Sequence, residues 1–229
     1  MSDVKTILKK AKRKSKDMVL LPGRKIKTYQ IRKNKDFSII CNNCWAGFVY
    51  QDYGLQYTSP TIGIYFYAED YIKFLKDIKK YINMKLKFIK VTESKYYDYM
   101  VKNNLDLFMP IGVLDDIELI FLHYKDEEEA FMKWEKRKKR INWDKLIVKF
   151  NDQNLCTEEL IREFDSLDFE NKLCFTSKAY DGLDSVIQFK EFEGKPFVPD
   201  DIHKKIYRRY INTTNYINNM GVGNGRNSR

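Results

Sequence analysis

The chain has 229 residues, 43% of them hydrophobic, with 16 Tyr and 15 Phe, enough to bury a core and too apolar for a disordered chain. No apolar run reaches the roughly 18 residues of a helical membrane span, and the N-terminus lacks the apolar centre of a secretion signal, so a cytoplasmic protein is expected. The net charge of +10 sits at the ends: residues 1–36 hold 13 basic and 3 acidic side chains, residues 202–229 hold 6 basic and none acidic, and the stretch between is acidic on balance, which makes nucleic acid an unlikely partner for the body.

This layout divides the chain into a basic, partly helical arm (1–36), an α/β domain (37–200) and a basic C-terminal helix with a disordered tail (201–229). In the arm, Val4, Ile7, Leu8, Ala11, Met18 and Val19 fall near one helical face, and Lys9, Lys10, Lys12, Arg13 and Lys14 surround it. Such a pattern suits a helix lying on an anionic membrane surface; the plainer reading is a solvated helix docked on the acidic body. Leu21-Pro22-Gly23 ends it.

Residues 37–41 form a β-prone run that ends in Asn42-Asn43-Cys44-Trp45, and a short helix follows to Tyr53-Gly54. A strand is expected at 62–66. The spacing of Tyr71, Phe74, Leu75, Ile78 and Ile82 predicts one helix from Ala68 to about Ile82. Residues 86–91 read as a strand, 95–103 as a tyrosine-rich helix or loop, and 109–112 as a turn. A strand at 117–122 leads to His123-Tyr124-Lys125. The helix at 126–142 carries acids first and bases last, which complements its dipole. A strand at 146–150 leads to Asn151-Asp152, and Thr157 caps the next helix. Strands at 173–176 and 185–189 precede a basic helix from residue 201. Alternating strands and helices over 37–190 predict a layered α/β/α fold with a largely parallel or mixed sheet.

In such sheets the binding crevice lies beyond the C-terminal strand ends. Three polar clusters fall there: Asn42-Asn43-Cys44, His123-Tyr124-Lys125, and Asn151-Asp152 with Cys156-Thr157. His123 is suited to general-base work, and Asp152 to orienting a hydroxyl or a divalent cation, although an Asx turn also explains it. Asn42 and Asn43 suit a hydroxylated ligand or a tight turn, and Trp45 beside them suits stacking on a sugar ring. Cys44 becomes a nucleophile if a helix N-terminus lowers its pKa, but no histidine is paired with it in sequence. Cys41 and Cys44 form a C-x-x-C, a weak redox or zinc signal. Asp115-Asp116 precedes its strand and reads as a turn, His203 as a surface residue. The basic run at 133–140 reads as a solvated helix face. No phosphate-binding glycine loop, dinucleotide fingerprint or serine-nucleophile elbow is present.

The run Ile39-Ile40-Cys41-Asn42-Asn43-Cys44-Trp45-Ala46-Gly47, with Gly63-Ile64-Tyr65-Phe66, Glu69-Asp70-Tyr71, Leu122-His123-Tyr124 and Trp134-Glu135-Lys136-Arg137, resembles a bacterial domain family. Its members are often labelled exopolysaccharide or capsule biosynthesis proteins. The resemblance covers about 37–190 and implies a role in cell-surface glycan synthesis, as a cytoplasmic transferase. The family usually has Ser where Cys41 stands, which weakens the paired-cysteine readings. The expectation is therefore a transferase using an activated sugar or a lipid-linked acceptor, with a divalent cation accompanying a nucleotide-sugar donor. Asn42, Asn43, Cys44, Trp45, Tyr124, Lys125 and Thr157 would bind substrate, and His123 and Asp152 would be catalytic. The alternatives are a non-catalytic scaffold of the same pathway and, more remotely, a nucleic-acid-binding protein.

Overall fold

The computed structural model describes residues 23, 25–31, 34–200 and 206–220. The membrane-surface residues Lys9, Lys10, Lys12, Arg13 and Lys14, together with His203 and the C-terminal tail beyond Met220, lie outside the described residues. The α/β expectation holds, built on two sheets. Strands β1 (Ser38–Cys41), β5 (Leu146–Asn151), β6 (Asn171–Thr176) and β7 (Val186–Gln188) form a parallel sheet in that spatial order. Strands β2 (Lys87–Ile89), β3 (Ile111–Leu114) and β4 (Ile117–Ile120) form a separate antiparallel sheet.

The parallel strands are legible because both faces are covered. All four β1 and all six β5 residues are buried, and their sequences run nearly continuously apolar, as strands packed on two sides do. Helix α1 (Trp45–Tyr53) follows β1. The expected helix 68–82 is two helices, α2 (Ala68–Lys76) and α3 (Ile78–Asn83), because Asp77 leaves helical geometry at φ −140°. Helix α4 (Tyr97–Lys102) fills the tyrosine-rich segment. Helix α5 (Glu127–Lys138) is capped by the Asp126 carboxylate, and α6 (Glu158–Ser166) by the Thr157 hydroxyl.

Two further expectations are corrected. Residues 62–66 make no strand; Gly63 takes φ +78°, and only Tyr65 bridges to Ile120. Of the turn expected at 109–112, Ile111 and Gly112 instead begin β3. The turn lies at Asp115-Asp116, where Asp115 has φ +58° and joins β3 to β4. Gly112 misled the reading because it serves packing: a Cβ there would lie 2.6 Å from Phe121 and 2.8 Å from Leu86.

One core fills the space between the two sheets, around Ile40, Phe66, Phe74, Phe121, Trp134 and Phe150. A second covers the other face of the parallel sheet, around Phe37, Trp45, Tyr50, Phe175 and Phe189. Both described ends enter the second core. Ile31 is buried there with Ile211, Ile217 and Met220, and the Asn34 amide donates to the Ile217 carbonyl at 3.0 Å. The C-terminal part is a 3-10 turn (Ile206–Arg209) and a short helix α7 (Thr213–Asn218) rather than one basic helix. No described helix is long and apolar enough to cross a membrane.

Candidate functional site

Because β1, β5, β6 and β7 are parallel, their C-terminal ends open on one edge, where a crevice is expected. Asn42 continues β1 and its amide donates to the Asn151 carbonyl oxygen Oδ1 at 2.8 Å. Asn43 then organises the turn into α1. Its Oδ1 accepts from Lys149 Nζ at 3.0 Å, from the Trp45 backbone N–H at 3.3 Å and from Cys41 Sγ at 2.9 Å. Its Nδ2 donates to Asp200 at 2.5 Å. Cys44 stands at the helix N-cap, and its backbone N–H donates to the second Asp200 oxygen at 3.2 Å.

The decisive contact is Cys44 Sγ to His123 Nε2, at 3.4 Å across 79 residues of chain. His123 arrives there because the segment after β4 is pinned to the turn at Gly63: the His123 N–H donates to the Gly63 carbonyl at 3.2 Å. A Cβ at Gly63 would lie 3.3 Å from His123 and 3.2 Å from Tyr124. Arg137 holds the Tyr124 hydroxyl at 2.7 Å. The imidazole is exposed, whereas Cys44 is only 7% exposed.

Burial, then the Asp200 carboxylate, then Cys41 push the Cys44 thiol up to about 12, and the Lys149 cation works against them. The thiol is thus held protonated at neutral pH, so a reaction here needs a base in contact with it. Burial also raises the Asp200 carboxyl, against the attraction of Lys149 and the bonds from Cys44 and Asn43. The expectation of a thiol pKa lowered by the helix N-terminus is therefore replaced: the α1 N-terminus is satisfied by Asp200 and Asn43.

Asn42, Asn43, Cys44 and His123 are thus brought together. Asn42 and Asn43 are 0% and 2% exposed; they build the site from inside instead of presenting amides to a sugar. Trp45 is equally enclosed, edge-on to Phe175 and Tyr207 at 5.5 and 5.7 Å. Asp152 is engaged elsewhere: its two oxygens accept from the backbone N–H groups of Ser177 at 2.6 Å and Val198 at 2.8 Å. It anchors the segment that delivers Asp200. Lys125 pairs with Asp126 on the surface, and Thr157 serves as a helix cap. Among the described residues no three His, Cys, Asp or Glu side chains gather as a metal site.

Sequence reasoning missed Lys149, Asn151 as a partner of Asn42, and Asp200. Lys149 carried a signal, a lone cation inside the apolar strand β5. Asp200 carried none, because its place depends on the chain returning from 156 residues away. Beside this network lies a cavity of about 30 Å³ with walls from Trp45, Phe48, Phe175, Phe189 and Tyr207, and with Lys149, Asn151 and Asp200 also lining it.

The chain is 33% identical over 167 residues to an uncharacterised protein of Haemophilus influenzae, a match spanning 73% of this chain and 74% of that protein. The family model for a domain of unknown function, DUF1919, matches residues 17–221, which include every residue of the network around Cys44. The chain belongs to the DUF1919 family.

Proposed function

We propose that the chain is a group-transfer enzyme of cell-surface polysaccharide biosynthesis, with Cys44 as nucleophile and His123 as its base. The Cys44–His123 contact carries the chemical part of this reading; the resemblance to exopolysaccharide and capsule proteins supports the pathway. Sγ forms a bond to the electrophilic atom of an activated donor while the thiol proton passes to Nε2. The imidazolium then protonates the leaving group. In the second half, a hydroxyl of a glycan or lipid-linked acceptor gives its proton to His123, its oxygen bonds to the transferred group as the bond from that group to Sγ breaks, and the imidazolium returns the proton to the leaving Cys44 sulfur. Proton transfer accompanies attack, which suits a thiol that burial keeps protonated. Asn43 and Asp200 act as positioning residues, since they fix the Cys44 backbone.

The test is restoration of surface polysaccharide in a host lacking the gene. Cys44→Ser and His123→Gln, at wild-type levels of folded protein, should fail to restore it, each with a loss of roughly a hundredfold or more in rate. Restoration by both variants would replace the enzyme with a non-catalytic scaffold.

The basic arm is proposed to hold the enzyme at the anionic inner membrane face through Lys9, Lys10, Lys12, Arg13 and Lys14. Deleting residues 1–22 should reduce binding to anionic vesicles and leave the melting temperature unchanged. Equal vesicle binding by the truncated chain contradicts this attachment.

A further inference from the structure

The bases of α5 divide by what they hold. Lys133 and Lys138 pair with Glu129 and Glu135 one turn back on the same helix, as on a solvated face. Arg137 pairs with no carboxylate among the described residues; it turns onto neutral oxygens instead. Its Nη1 donates to the Ile62 carbonyl at 3.1 Å and to the Tyr124 hydroxyl at 2.7 Å, and the Tyr124 hydroxyl donates to the same carbonyl. The guanidinium carbon lies 5.1 Å from the Tyr57 ring centre and 5.9 Å from that of Tyr124. A planar group held by two acceptors and two aromatic rings keeps little freedom to rotate. Its base is firm as well, because Trp134, one turn earlier on α5, is 0% exposed.

What Arg137 grips is the bridge between the two halves of the candidate site. Thr61 Oγ1 accepts from the Cys41 backbone N–H at 3.2 Å, at the end of the strand that delivers Cys44. Ile62 lies against α1, since a Cβ at Gly47 would meet its Cγ2 at 3.7 Å. The Gly63 carbonyl accepts from the His123 N–H at 3.2 Å. Residues 61–63 thus touch β1, α1 and the His123 segment, and the carbonyl in their middle is the acceptor that Arg137 and Tyr124 share. This stretch belongs to no strand, and Gly63 holds φ +78°, so side-chain donors fix it where a sheet ladder does not. We infer that Arg137 is a positioning residue for the Cys44–His123 pair: by fixing the Ile62 carbonyl it sets the 3.4 Å separation of Cys44 Sγ and His123 Nε2. The inference rests on the reading of those two side chains as nucleophile and base. A displacement of about 1 Å takes the imidazole out of reach of the thiol proton.

The test is a double-mutant cycle on the full chain, read as the rate of iodoacetamide labelling at Cys44 at neutral pH. Cys156 labelling is the control, and a melting curve shows that each variant is folded. Arg137→Met should slow Cys44 labelling by roughly fivefold, the scale of one hydrogen bond, and leave Cys156 unchanged. Added to His123→Gln, the same substitution should slow it no further, because Arg137 reaches the thiol only through the imidazole. A general loosening of the site would change labelling equally in both backgrounds. If Arg137→Met does not fold, Tyr124→Phe takes its place in the cycle, since it removes the hydroxyl between Arg137 and the Ile62 carbonyl. An unchanged Cys44 rate in folded Arg137→Met, with His123→Gln slowed, overturns the inference and leaves the pair standing. An equal change in both backgrounds also overturns it. An unchanged rate in His123→Gln overturns the nucleophile and base reading, and the inference with it.

Discussion

At the scale of single residues, the site is governed by charges taken out of water. Asp200 shows the balance most clearly. Its carboxyl is raised above the ordinary value of 3.8, with burial as the leading cause. A carboxyl raised in the folded state takes up its proton more readily there than in the unfolded chain. Its contribution is therefore most favourable at low pH, and stability is lost as pH rises through the folded pKa. Asp200→Asn removes that ionisation and keeps one of the two acceptors used by Asn43 and the Cys44 N–H. The melting temperature of the variant relative to the wild type should therefore rise with pH through the carboxylate range. Melting curves over that range check it; a difference that is flat or falls with pH contradicts the burial account.

At the scale of elements, the legible parts were those whose local pattern and tertiary role agree. β1, β5 and β6 read as strands because their apolar runs are buried on both faces. The cap at Thr157 read correctly because a side-chain acceptor at an N-cap acts locally. The misread elements are those where packing overrides pattern. Gly112 looked like a turn residue, yet it sits in β3 because Phe121 and Leu86 leave no room for a Cβ. Gly112→Ala should therefore cost about 1–3 kcal/mol by overpacking, read from denaturant unfolding with an unchanged slope. A neutral effect would mean that Phe121 and Leu86 yield freely. The helix from Ala68 kept its apolar spacing across Asp77, so the break there was invisible to periodicity. The candidate site was half legible for the same reason. Asn42, Asn43, Cys44 and His123 announced themselves at strand ends, but which of them touch is decided by how the Gly63 turn seats His123.

At the scale of the whole molecule, the two sheets explain why the site exists. The antiparallel sheet carries His123 and the parallel sheet carries Cys44, and the core between them sets the distance from one to the other. The segment anchored by Asp152 closes the same edge from the other side with Asp200. Chain positions 43, 44, 123, 149 and 200 thus meet at one place, which no local pattern can announce. The described parts of both termini share the second core. Whether Cys44 and His123 act as one chemical unit is tested most directly by the rate of iodoacetamide labelling at Cys44, followed by peptide mass mapping at neutral pH. Cys156 is the internal control, since burial also raises its thiol to about 12. Labelling of Cys44 should fall roughly tenfold or more in His123→Gln while Cys156 is unchanged; an unchanged Cys44 rate in a folded variant would contradict the pair.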